Sequence, residues 1–130
     1  IFCYIIQHTN EQETLIGCLR LINSKQVSSR VRECLKDDRW QVRMHAVQTL
    51  GRLGYQKDIK KLVQGLNDLE WWVRYRSACA LAFDPSITHE KIEYLSKTLP
   101  NEFARDILTQ VLAEIRLKCL QKPPSVNLSK

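Results

Sequence analysis

Glycine and proline are scarce in this chain, with four of each in 130 residues and two of the prolines adjacent near the C-terminus. A turn-rich β domain needs more of both, so the scarcity leaves room for long helices and argues against a sheet protein. The five cysteines, Cys3, Cys18, Cys34, Cys79 and Cys119, are odd in number, scattered, and contain no Cys-x-x-Cys pair. None has a histidine at ligand spacing, which argues against both a disulfide framework and a zinc site. Free thiols at positions that suit small buried residues point instead to a reducing compartment, so the expected location is cytoplasmic. Catalytic signatures are missing as well. There is no Gly-rich phosphate loop and no Gly-x-Ser-x-Gly, and His8, His45 and His89 have no acid or nucleophile at a suggestive spacing. The expectation is no enzyme: no catalytic residue, no cofactor, no metal and no small-molecule substrate.

No apolar run is long enough to cross a bilayer, which takes about 20 residues. The opening "IFCYII" is six residues long and lacks the charged start and cleavage site of a signal peptide. Two readings stay open for it. It is the buried face of a first helix, or the end of a membrane-spanning segment lying upstream of Ile1 that would tether the domain on the cytoplasmic side. The net charge of +6 is spread along the chain, with no block of five like charges. Such a charge permits nucleic acid, anionic lipid or an acidic protein face as partner.

What the chain does contain is a repeat. At an offset of 31 residues, "LKDDRWQVRMHAVQTL" from Leu35 aligns with "LNDLEWWVRYRSACAL" from Leu66. Six identities fall in register: Leu35 with Leu66, Asp37 with Asp68, Trp40 with Trp71, Val42 with Val73, Arg43 with Arg74, and Leu50 with Leu81. One further step pairs Arg105 with Arg74, Leu112 with Leu81 and Phe103 with Trp72, and a step backwards reaches a weaker copy around Leu19. A fixed period of this size means stacked supersecondary units.

Within each unit the apolar positions are helical twice over. Ile59, Leu62, Val63 and Leu66 follow the i, i+3, i+4, i+7 spacing of one face, and Val73, Ser77 and Leu81 follow the second. The spacing predicts seven helices, at about 10–22, 27–36, 39–53, 56–66, 70–82, 88–98 and 101–119, with room for a short one before them. Asn10 with Glu13 and Asp38 with Gln41 have the capping-box form. Gly54 stands where a left-handed C-terminal cap is expected, and Asp84-Pro85 and Pro100 break the pattern at turns. The predicted organisation is one domain over 1–120 and a disordered tail over 121–130.

The segment "DDRWQVRMHAVQTLGRLG" (Asp37 to Gly54) resembles the HEAT-repeat signature, and "DLEWWVRYRSACAL" carries it with Ser77 in place of the alanine. The short period is similar to that of prokaryotic HEAT-like proteins, including the phycobilisome lyase type. The stretch from "WWVRYRSACAL" to "EFARDILTQVL" also resembles the soluble part of small bacterial membrane-anchored HEAT proteins. The resemblance implies an all-α fold: a right-handed α-α superhelix, a solenoid of antiparallel helix pairs related to armadillo stacks. It also implies that Asp37, Arg43, Asp68 and Arg74 form a ladder bridging neighbouring units near the turns.

Residues that obey the repeat are read as framework, and those that break it as candidates for function. Trp72 replaces Gln41, while Tyr75 and Arg76 replace Met44 and His45. The candidate partner-binding residues are therefore Trp72, Tyr75, Arg76, Arg39, His45 and Arg52, on the face of the second helices. The leading expectation is a scaffold that binds a protein. A nucleic-acid-binding module is the alternative, resting on basic charge and interleaved aromatics, and a bilin lyase subunit rests only on the resemblance.

Overall fold

A computed structural model describes residues 2–22 and 25–121, and every regular element among them is helical. The α-helices are α1 (Phe2–His8), α2 (Gln12–Leu21), α3 (Ser28–Cys34), α4 (Trp40–Leu53), α5 (Ile59–Gly65), α6 (Trp71–Ala82), α7 (His89–Thr98) and α8 (Glu102–Gln121). Short 3₁₀ turns, Lys25–Val27 and Gln56–Asp58, lead into α3 and α5. Each odd-numbered helix packs on the even-numbered helix that follows it, giving four antiparallel pairs. The even-numbered helices also stack on one another, α2 on α4, α4 on α6 and α6 on α8, in one layer along the molecule. This is the all-α HEAT-like solenoid.

One apolar core runs through the stack. Leu15, Leu19, Val42, Leu50, Leu66, Val73, Leu81, Ile92 and Leu108 are all buried in it. Each such side chain contributes about 1.5–3 kcal/mol of transfer free energy. Leu35, expected among them, is only half-buried and packs against the edge of the core. In α1, Ile6 is fully buried. Among the described residues no helix is long and apolar enough to cross a membrane.

Small residues bring the helices together. A Cβ on Gly65 would lie 2.1 Å from the Ser77 hydroxyl oxygen, so α5 and α6 could not pack as they do with any side chain there. Ser77 is itself buried, and its hydroxyl donates to the Val73 carbonyl at 2.9 Å, which satisfies it within its own helix. A Cβ on Gly51 would lie 2.9 Å from the Ala80 Cβ, which sets the approach of α4 to α6. Gly54 ends α4 at φ 69°, its N–H donating to the Leu50 carbonyl at 3.1 Å.

The helix starts differ from the capping-box expectation by one residue each. Glu11, not Asn10, caps α2, accepting from the Glu13 and Thr14 amides. Asn10 instead accepts from Arg30. Before α4 the acceptor is Asp37, not Asp38, and it takes the Arg39 amide at 2.9 Å. The tail expected to be disordered lies outside the described residues from 122 onward.

Candidate partner-binding surface

Arginines at the turns face inward. Arg43, in the first turn of α4, donates through Nη1 to the carbonyls of Asp37 (2.8 Å) and Asp38 (3.0 Å). Its Nε and Nη2 grip both oxygens of Asp68 in the next unit at 2.9 and 3.0 Å. One repeat on, Arg74 makes the same carbonyl contacts, to Asp68 (2.8 Å) and Leu69 (3.1 Å). Arg105 repeats them with Leu99 and Pro100. These carbonyls lie in the turns between paired helices, where the backbone lacks helical partners. The position one repeat beyond Asp68 is Leu99, which offers Arg74 no carboxylate. Its guanidinium lies over the Phe103 ring instead, 5.3 Å from the centroid.

Other arginines are engaged in the same way. Arg32 forks onto Asp58 (2.7 and 3.0 Å), a carboxylate only 1% exposed. Arg30 donates to the carbonyls of Ile6 and Thr9. Arg39 grips Asp37 at 2.8 and 2.9 Å and donates to the Asn10 carbonyl at 2.8 Å. The Arg39 guanidinium holds the Asp37 carboxyl below the usual carboxylate range. Arg39 is thereby drawn to the turn between the first and second units.

The outer side of α4 and α6 is different. Trp71 and Trp72 are 37% and 44% exposed, meeting edge to face at 4.8 Å. Tyr75 stacks on Trp71 at 4.9 Å and donates to Glu114 of α8 at 2.7 Å. That bond, helped by burial, pushes the phenol up to about 12. Tyr75 is accordingly half-buried and turned toward α8, leaving Trp72 as the outermost ring of the three.

Further along the same helices is a groove of about 480 Å³. Gln48, Gly51 and Arg52 of α4 form one wall, and Arg76, Cys79 and Ala80 of α6, with Phe83 just past its end, form the other. Phe83 is 67% exposed. Arg52 also donates through Nη2 to the Leu19 carbonyl at 2.8 Å, near the end of α2. His45 lies among Arg20, Arg76 and Arg52. Burial first, and then those three charges, lower its pKa below the ordinary imidazole value, so it is neutral near pH 7. Two buried side-chain atoms among the described residues lack a hydrogen-bond partner, His45 Nδ1 and Arg76 Nε. The two residues occupy the same repeat position, 31 apart.

The second helices place Arg76 and Arg52 in one groove with His45 beside them. They leave Trp72 exposed nearer the start of α6, turn Tyr75 toward α8, and leave Arg39 apart. Sequence reasoning missed Phe83 and the groove. The available signal was that Phe83 stands where the preceding unit has Arg52, another break in the repeat. It also missed Arg32 and Asp58, whose 26-residue separation nearly matches the 25 between Arg43 and Asp68. Among the described residues no group of three or more His, Cys, Asp or Glu side chains is placed to hold a metal. A family model for HEAT repeats matches residues 6–82, more than half of the chain. Comparison with curated proteins finds no match.

Proposed function

Because the chain belongs to the HEAT-repeat family, a non-catalytic one, we propose that it is a scaffold that binds another protein on the face of its second helices. One observation carries this reading. The arginines that obey the repeat, Arg43, Arg74 and Arg105, are engaged by carbonyls or carboxylates of the fold. The large residues that break it, Trp72, Arg76 and Phe83, line exposed surface or the groove. Stacked units present extended faces of this kind, and exposed aromatics and arginines are the residue types enriched where proteins meet.

The nucleic-acid reading is weaker. Six of the twenty Lys and Arg residues, Arg30, Arg32, Arg39, Arg43, Arg74 and Arg105, are engaged internally. Lys57, Lys60 and Lys61 belong to the turn before α5 and to α5 itself, away from Trp72. The bilin lyase reading has only the resemblance behind it. The 31-residue period supports the finer placement among short bacterial HEAT-like proteins. The free cysteines Cys18, Cys34, Cys79 and Cys119 support a cytoplasmic location, with the tether upstream of Ile1 as an addition to that proposal.

The test is a photo-crosslinking amino acid placed in cells at Trp72 or, as control, at Lys60 on α5. Protein adducts from position 72 and not from position 60 are expected. Adducts from position 60 alone, or nucleic-acid adducts from position 72, would contradict the reading.

A further inference from the structure

We propose that the groove between the C-terminal halves of α4 and α6 receives an extended acidic peptide segment, with one bulky apolar side chain seated against Phe83. The inference rests on the scaffold reading above and adds the chemistry of the occupant. At about 480 Å³ the groove is large enough for such a side chain, within the usual range of small binding pockets. Gly51, Cys79, Ala80 and Phe83 make its surface largely apolar, and the closeness of Gly51 to Ala80 keeps the floor shallow.

Charge selects the occupant. Arg52 and Arg76 line the groove, and Asp84 is the one acid beside them. The Asp84 carboxylate already accepts from the Ser86 amide at 2.8 Å and the Ser86 hydroxyl at 2.6 Å. No carboxylate among the described residues pairs with Arg76, and its buried Nε has no acceptor. A ligand carboxylate in the groove would give the Arg76 guanidinium the ion pair that the fold does not.

The two walls supply the direction. Arg52 of α4 and Arg76 of α6 stand on adjacent helices, one on each wall of the groove. Packed helix axes lie about 8–10 Å apart, a distance that roughly three residues of extended chain cover. A segment laid across α4 and α6 therefore meets both arginines. A second copy of the chain brings the same positive charge of +6, and residues 122–130 carry two lysines and no acidic side chain. Neither matches the groove as well as an acidic segment does.

The experiment is selection of a displayed random-peptide library on the 130-residue chain. Enriched peptides are then measured by fluorescence polarisation on the native chain, Arg76→Glu and Phe83→Ala. Enriched sequences should combine Asp or Glu with a Leu, Phe or Trp. Arg76→Glu should weaken them roughly tenfold or more, the usual scale for a desolvated charge pair. Replacing the peptide's acid with lysine should restore binding to Arg76→Glu, an outcome that misfolding of the variant cannot produce. No enrichment, enrichment of peptides without acids, or indifference to Arg76→Glu would overturn the inference. So would a concentration-dependent dimer that Phe83→Ala abolishes. If the peptides fail while position 72 still crosslinks to a protein, the groove assignment falls and the scaffold reading stands. If peptides bind but position 72 captures no protein, the groove assignment stands and the contact at Trp72 falls.

Discussion

Arg74 and Arg76 lie two residues apart on one helix, and the fold treats them oppositely. Arg74 turns back on its own helix start, holds two carbonyls and covers the Phe103 ring. Arg76 lines a groove and keeps its buried Nε without a partner. Arg74 has equivalents in the units on both sides, Arg43 and Arg105, with the same carbonyl contacts. Arg76 has histidine as its equivalent on one side and the buried Ile107 on the other. Periodicity therefore separates two uses of one side chain. A stacking fold must close each turn, so the turn arginine recurs, whereas a face that meets a partner is free to vary from unit to unit.

The comparison is broken most severely at Arg43. Arg43→Ala removes a largely buried fork on Asp68 and strips two turn carbonyls of their donor. A loss of about 2–4 kcal/mol is expected, read from urea midpoints at unchanged m-value. Arg74→Ala, with carbonyl and ring contacts but no carboxylate, should lose about 1 kcal/mol. Equal losses at the two positions would mean that the Asp68 fork contributes little and the turn carbonyls do the work.

A smaller effect sharpens the boundary between face and frame. Tyr75 was read as surface, yet its phenol is tied to Glu114 and raised to about 12. A proton held more tightly in the folded state adds stability that is present below the ordinary phenol range and is lost as pH rises toward 12. Alkaline absorbance titration should show one late-titrating tyrosine that disappears in Tyr75→Phe, at a stability cost of roughly 1 kcal/mol. If Tyr75 titrates in the ordinary range, it belongs to the open face with Trp72.

Much of the fold was legible because helical burial follows local spacing. Leu50, Leu66 and Leu81 could be placed from periodicity alone, and Gly54 from its position after Leu53. Leu35 was misjudged because its repeat equivalent Leu66 is fully buried, whereas Leu35 lines a cavity with Arg32, Lys36 and Arg43. The caps slipped because helix starts are resolved only to a residue or so, and neighbouring Asp37 and Asp38 are chemically alike. Arg39 was placed with the partner-binding face, but Asp37 and the Asn10 carbonyl draw it into a turn. Asp58 and the groove left only indirect traces, a 26-residue spacing from Arg32 and the break in the repeat at Phe83. The first depends on the lateral register of α3 against the turn before α5, and the second on the approach of Gly51 to Ala80. Spacing within one helix does not carry either relation.

The most direct test of the division between frame and face is the double variant Trp72→Ala/Arg76→Ala, with affinity for the crosslinked partner and melting temperature measured on the same preparation. Binding should be lost while the melting temperature stays within a few degrees, since neither side chain supports the core. A collapse in melting temperature, or a partner bound as tightly as before, would contradict the account.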